Sequence, residues 1–431
     1  MLRTISQQAE ATAELRRICD RTRDDQLLHK ESTVREILST VQRQGDAALL
    51  QYTAEFDQQT LSLNALKVSG AELDAAYQQI SQDLLDAIRF CHQQLTTFHQ
   101  QQRRQSQVHF GDHHVVLGQR YTPIERAGFY IRGTQIASPS QVLVNATPAI
   151  VAGVPELVMV TPPGPDGQVH PAVLVAAQEV GIDRIYRVGG AQAIAALAYG
   201  TESIPAVDMI AGSGNIYVTL AKKLVYGSVG IDALTGPSEL VILADDTAHP
   251  SHIAADLLAQ AASDPLAASI LITSDSTLAT KVVLEVNQQL PAYGLLAEKA
   301  IAHYGLVILV DQLHQAILFA NQVAPAQLAL AIADPWAVLE QIRHAGSILL
   351  GAYTPPVTEQ YLAGPNPNLP TGGMARFSSG PGVETFMKRT NLVQYSPQAL
   401  SLAAPQIDAL VELEGGMAQS LSMRIRINKN L

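Results

Sequence analysis

Two glycine turns, Gly189-Gly190 and Gly212-Ser213-Gly214, carry the most readable chemistry of this chain. Each closes a short β-type or apolar run, residues 184–188 and 207–210. Each opens a helix-forming run, residues 191–199 and 215–226. Strand, glycine turn and helix at this spacing predict βαβ units and a parallel sheet. Such sheets take ligands outside the carboxyl ends of their strands, so these turns are the expected place for a nucleotide. Neither is a full G-x-G-x-x-G, and most glycine turns in α/β proteins serve only to reverse the chain.

Other reactive side chains are sparse. The 12 histidines form only loose pairs, such as His249 and His252 at a predicted helix start, which read as a cap and a solvated residue. No histidine follows His344, so the last part of the chain offers no imidazole as ligand or base. Asp264 follows Gln260 by four residues, on one face of a predicted helix, and Glu359 adjoins Gln360. A carboxylate site for a hard cation such as Mg²⁺ is conceivable there, but both acids read more simply as surface residues. Cys19 and Cys91 fall in helical patterns and read as buried thiols. Two cysteines make neither a disulfide framework nor a Cys-rich zinc site.

The elements that must position these groups follow from periodicity. Residues 1–25 predict one helical arm. Residues 32–58 and 71–105 predict two or three long helices, with starts at Glu31-Ser32-Thr33 and at Ser69-Gly70-Ala71-Glu72. Residues 108–130 shift to β-type. A helix (141–154), a strand (156–161) and a helix (171–180) lead into the glycine turns. A second series follows: strands at 240–244, 268–273 and 304–310, with helices at 250–262 and 278–289. Two such series imply two sheet domains. Residues 353–382 are dense in Pro and Gly and read as a functional loop wrapped over something. The tail predicts a helix at 397–415 and a β-like end at 424–427.

The 431 residues allow two or three domains, and a hydrophobic fraction of 47% allows a large core. No apolar run reaches the ~20 residues of a membrane span, and the first 20 residues have no signal-peptide h-region. The expected compartment is the cytoplasm. A net charge of −11 argues against nucleic acid and anionic membrane as partners. Arg103-Arg104 and Lys222-Lys223 read as solvated helix faces.

The segments RVGGAQAIAALAYGTESIP, SGNIYVTLAKKLVYGSVGID, TGPSELVILADD, AGFYIRG, VLVNATPAIVAGV, QYLAGPNPNLPT, FSSGPGVETFMKRT and EGGMAQS resemble the histidinol dehydrogenase family. They run in the family's order over essentially the whole chain. The resemblance implies an α/β protein with two incomplete Rossmann-like parallel-sheet domains, helical N- and C-terminal arms, and an intertwined homodimer. It implies a cytoplasmic enzyme that uses NAD and zinc to oxidise L-histidinol by four electrons to L-histidine. The expected divisions are an arm at 1–25, a first domain from 26–129 plus 240–381, a second, NAD-side domain at 130–239, and a dimerisation segment at 382–431.

Carried over by position, Tyr130, Gln192 and Asn215 match NAD contacts. Ser238, Gln260 and Glu414 match substrate-side residues, Glu414 reaching the partner subunit's site. Small departures surround them, at Ile131-Arg132-Gly133-Thr134, at Gly212-Ser213-Gly214-Asn215 and at Thr235-Gly236-Pro237-Ser238. The family's zinc set is a Gln, two His and an Asp. Gln260 keeps the first position, and Ser263, Gln360 and Gln419 stand at the others. Ala326 and Gln327 stand where the family has its glutamate and histidine bases, and Pro367 replaces a further histidine. Neither an alanine nor a carboxamide titrates near neutrality, so neither acts as a general base. Neutral amide and hydroxyl oxygens bring no charge to a dication.

The leading expectation is a catalytically degenerate family member that keeps the fold, the dimer and an NAD pocket and works as a binding or scaffold protein. The alternatives are an active histidinol dehydrogenase with a rearranged site, or a metal-independent NAD-dependent alcohol oxidoreductase of another substrate that draws its base from Tyr361 or Glu414.

Overall fold

The computed structural model describes residues 2–21, 26–133 and 137–427. Thr134 lies outside the described residues. Fourteen strands run in chain order as β1 (Arg3–Ile5), β2 (Gln107–Phe110), β3 (Val116–Pro123), β4 (Arg126–Tyr130), β5 (Glu156–Thr161), β6 (Arg184–Arg187), β7 (Met209–Ala211), β8 (Gly230–Ile231), β9 (Glu239–Ala244), β10 (Ala268–Thr273), β11 (Gly305–Leu309), β12 (Gln327–Ala331), β13 (Ser347–Leu350) and β14 (Met387–Gln394). They form two all-parallel sheets and one small antiparallel sheet, which is the α/β architecture expected.

The first parallel sheet has the order β1-β11-β10-β9-β12-β13. Its strands are apolar on both faces, as a doubly covered sheet requires. Leu240, Ile242 and Ala244 of β9 enter one core with helices Pro250–Ala261, Ser276–Gln289 and Gly294–Tyr304. Val241 and Leu243 enter the opposite core with helices Gln8–Cys19 and Leu313–Val323. That alternation is the period of two along a strand.

The second parallel sheet has the order β6-β5-β4-β7-β8. One face packs on helices Gly190–Tyr199 and Ile216–Val225. Val34, Ile37, Leu38 and Val41 of helix Gln26–Gln44 join the same core. Helix Gln82–Gln100 packs on helix Pro139–Ala152, which follows β4. The helices between residues 26 and 100 therefore sit with the second sheet, a different grouping from the 26–129 plus 240–381 expected. The apolar stripes of helices Gln26–Gln44 and Asp46–Phe56 fit the small-residue surface of helix Gly190–Tyr199, a match that does not show in either segment alone.

Other local expectations also change. The N-terminal segment is not one helix: Arg3-Thr4-Ile5 adds β1 to the open edge beside β11, burying Leu2 and Ile5, before helix Gln8–Cys19 begins. Helix Gln26–Gln44 runs through the expected start at Glu31-Ser32-Thr33, where Thr33 returns its hydroxyl to the His29 carbonyl. The start at Ser69 holds, with a capping box closed by Glu72.

Arg103–Ile124 and Met387–Leu431 form a separate compact unit. It carries the antiparallel sheet β14-β3-β2 and helices Pro397–Leu413 and Met417–Ile427. The expected β-like end at 424–427 is thus helical, with Arg424 paired to Asp408 across the two helices at 3.0 Å.

Candidate functional site at the ends of two sheets

On the second sheet the glycine turns fall at the carboxyl ends of the strands. Gln192 sits in the first turn of helix Gly190–Tyr199, fully buried, and neither its Nε2 nor its Oε1 has a hydrogen-bond partner. Each such orphan costs about 1–3 kcal/mol, a large penalty for a position that could have been apolar. Tyr130 ends β4, and its hydroxyl accepts the Gly190 N–H at 3.2 Å. Burial pushes the phenol up to about 12, against the opposing Gly190 N–H, so it keeps its proton. Asn215 caps helix Ile216–Val225, its Oδ1 accepting from the N–H groups of Tyr217 (3.0 Å) and Val218 (3.2 Å). The donor it can offer a ligand is therefore Nδ2.

Gly212 holds φ +113°, and a Cβ there would lie 2.1 Å from the Tyr130 carbonyl oxygen, so only glycine fits. Lys222 donates to the Gly212 carbonyl at 2.7 Å and pairs with Asp232, whose other oxygen accepts the Gly212 N–H at 2.9 Å. Lys222 is 2% exposed and Asp232 fully buried. Lys222 is thus not a solvated residue: its ammonium clamps the turn from inside, and only Lys223 faces solvent, 3.3 Å from Glu31. Asp57, at the end of helix Asp46–Phe56, has an unpartnered Oδ2; burial pushes its carboxyl up to about 6.

On the first sheet the substrate-side positions gather at the amino ends of β9, β12 and β13, opposite to the end that the sheet rule predicts. Ser238 precedes β9. Gln260, on helix Pro250–Ala261, donates Nε2 to the Ser238 carbonyl (3.0 Å) and hydroxyl (2.9 Å). Ser263 donates its hydroxyl to the Gln260 carbonyl at 2.7 Å. Asp264 does not share Gln260's helix face: the helix ends at Ala261, and Asp264 accepts the Leu266 N–H in the following turn. Gln327 opens β12 and donates Nε2 to Glu359 Oε2 at 2.6 Å. Glu359, on helix Pro356–Tyr361, is only 2% exposed, so it is no surface acid. Burial raises its carboxyl above the usual range, with Ser347 and Gln327 opposing, and its Oε1 completes no hydrogen bond. Ala326 is buried and Gln360 exposed.

The Pro- and Gly-rich loop ties the two groups together. Asn366 donates to the Val144 carbonyl and Asn368 to Asn145 Oδ1, both at 2.7 Å and both on helix Pro139–Ala152. Thr371 accepts the Gly236 N–H at 2.9 Å, and the Gly372 N–H reaches Glu239 at 3.2 Å. Arg21 completes this corner: it donates to the Pro237 carbonyl at 2.7 Å and pairs with buried Glu239 at 2.8 Å. Neither Arg21 nor Glu239 stands out in the sequence, where 217 positions lie between them and no periodic signal joins them.

In the separate unit, Glu414 follows helix Pro397–Leu413 and Gln419 lies on helix Met417–Ile427, both exposed. His249 pairs with the Ser251 hydroxyl at 2.8 Å and stacks on His252. The cysteine thiols are half-buried and raised by that burial. Among the described residues no group of three or more His, Cys, Asp or Glu side chains could hold a metal ion.

Fold and site together define a class, a two-sheet parallel α/β protein with polar side chains gathered where the carboxyl ends of one sheet and the amino ends of the other are bridged by a loop. The family model described as histidinol dehydrogenase matches residues 20–427. A "Histidinol dehydrogenase" of a Synechococcus species is 59% identical over 99% of both chains. A "Histidinol dehydrogenase 2" of a Nostoc species is 58% identical over the full length of both. The crystal structure of histidinol dehydrogenase from Elizabethkingia anophelis superposes with a TM-score of 0.92 at 32% identity, covering 99% of this chain and 98% of that one. The chain belongs to the histidinol dehydrogenase family.

Proposed function

We propose that this chain oxidises L-histidinol with NAD, the family reaction, through a rearranged site. The observation that carries this reading is the 59% identity across essentially all of both chains. These comparisons favour an enzyme over the degenerate member expected from the sequence. Bound NAD would supply hydride acceptance. The buried, unpartnered amide of Gln192 fits such a ligand, because it leaves a donor and an acceptor for it to satisfy. Asn215 Nδ2 would add a donor at the helix start, and Tyr130 would hold the Gly190 turn in place. On the substrate side, Ser238 and Gln260 would orient the amino alcohol. Glu359, held by Gln327 at the family's base position, is the carboxylate within this chain best placed to take a proton. The family relationship also supports a cytoplasmic homodimer to which Glu414 contributes from its exposed position. No helix among the described residues is long and apolar enough to cross a membrane.

A second reading, a chain that binds NAD without turnover, is favoured by Ala326, which carries no titratable group, and by Gln327, whose amide accepts no proton. Purified protein mixed with L-histidinol and NAD decides between them. NADH formation at about 1 s⁻¹ or faster, an ordinary enzymatic rate, establishes the first reading. Its absence, with NAD binding retained by calorimetry, establishes the second.

A further inference from the structure

We infer that the family's zinc position is, in this chain, a metal-free hydrogen-bonded lock. The inference concerns the site of the proposed function but stands whether or not the chain turns over.

Three observations carry it. Gln260 Nε2 faces the Ser238 carbonyl, which can only accept, so the amide must present its hydrogens there. Gln327 Nε2 faces the Glu359 carboxylate, again an acceptor in its ionised form. Ser263, at a second family zinc position, gives its hydroxyl proton to the Gln260 carbonyl. Each of these side chains thus spends its hydrogens inside the protein, Gln260 on Ser238, Gln327 on Glu359 and Ser263 on the Gln260 main-chain carbonyl. Gln260 Oε1 is the lone-pair donor left at the retained zinc position, and it is neutral.

Zinc sites rest mainly on imidazole, thiolate and carboxylate ligands, and the family's set joins its Gln to two His and an Asp. Gln360 and Gln419, at the remaining positions, are also neutral amides. No combination of these side chains neutralises a dication or replaces its hydration shell. The carboxylates nearby are already engaged: Gln327 occupies one oxygen of Glu359 at 2.6 Å, Arg21 pairs with Glu239 at 2.8 Å, and Asp264 accepts the Leu266 N–H at 2.7 Å. Two separate pairs hold by hydrogen bonding what a metal would hold by coordination: Gln260 fixes Ser238 before β9, and Glu359 fixes Gln327 at the start of β12.

The test is metal content, read separately from NADH formation. Full-length protein is incubated with excess zinc, desalted and analysed by atomic emission. Far less than one zinc per chain is expected, and the melting temperature should be the same with zinc, without it and with a chelator. The triple variant Ser263→His/Gln360→Asp/Gln419→His should gain about one zinc per chain and melt higher when zinc is present. One zinc per wild-type chain that is lost in Gln260→Ala overturns the inference, as does a folded triple variant that still binds none. Zinc retained unchanged in Gln260→Ala lies elsewhere and upholds it. If the triple variant fails to fold, the wild-type content and melting data decide alone. A zinc-free protein that makes NADH upholds both the lock and the proposed function; a zinc-free protein that does not leaves the lock standing and removes the function.

Discussion

Gln192 holds two unsatisfied polar atoms in a fully buried position, so its removal should separate binding from stability. In Gln192→Ala the protein loses no internal hydrogen bond, but NAD loses a donor and an acceptor. At about 1–1.5 kcal/mol for a typical bond, NAD binding by calorimetry should weaken roughly tenfold or more, while the NAD-free protein, relieved of two orphaned polar atoms, should melt no lower than wild type. Equal affinity in the variant would remove Gln192 from the pocket. Asp57 supports a second test. Its carboxyl is ordinarily near 3.8 and is pushed up to about 6 in the fold. Well below pH 3.8 it is protonated whether the chain is folded or not and makes no difference. As pH rises from about 4 to 6 the unfolded chain ionises first, so wild-type stability falls through this window and the loss persists above it. Asp57→Asn should therefore melt higher than wild type at pH 7–8, with the gap closing below pH 4. A gap that widens on acidification would reverse the assignment. Gln192 was singled out by the family resemblance of its segment, since the Gly-Gly turn before it names only a place in the fold. The burial of Glu359 was not, because a polar residue in a six-residue helix between prolines carries no periodicity to reveal its inward face.

Among the elements, the two glycine turns were the most legible because conformation restricts them to glycine, and Gly212 meets that restriction at the Tyr130 carbonyl. What stabilises the turn was hidden. Lys222 and Lys223 look alike in sequence, yet the helical turn points one inward and the other out. Replacing Lys222 by Met leaves Asp232 charged, buried and unpaired, and breaking one side of such a pair costs about 3–5 kcal/mol. Chemical denaturation should show that loss, while Lys222→Met/Asp232→Leu recovers much of it; a single variant as stable as wild type would mean the clamp is unimportant. At the other sheet, Gln327→Leu should cost about 1–3 kcal/mol by stranding a second oxygen of Glu359. Adding Glu359→Leu should return part of that loss, since no carboxylate is then left buried. The strand-end position of Gln327 follows from its neighbours' apolar run, but the amino-end location of the whole group does not. It depends on register between β9, β12 and β13, strands far apart in the chain, β9 ending at Ala244 and β13 starting at Ser347.

The whole molecule was legible in its two parallel sheets, because long apolar strands and intervening helices leave few other packings. Less legible was which sheet each N-terminal helix joins, and that residues 103–124 and 387–431 make a compact unit of their own. That unit exposes Leu410 and Leu413 on one helix and Met417, Leu421 and Ile425 on the next, with Leu413 at 86% and Met417 at 84% exposure. The last three recur every four residues, so they share one helical face. Exposed apolar side chains concentrated in this way suit an interaction surface, and the homodimer proposed above makes a second copy of the chain their expected cover. Sedimentation of the intact protein should give twice the 46.2 kDa mass of one chain. In Leu413→Asp/Met417→Asp each charge would have to be buried unpaired at the interface, so the assembly should dissociate to single chains at micromolar concentration. Circular dichroism should remain unchanged, since both side chains are solvent-exposed within one chain. A variant that still sediments at twice the chain mass would place the contact on another surface, and dissociation accompanied by loss of helix would show that these residues maintain the unit itself.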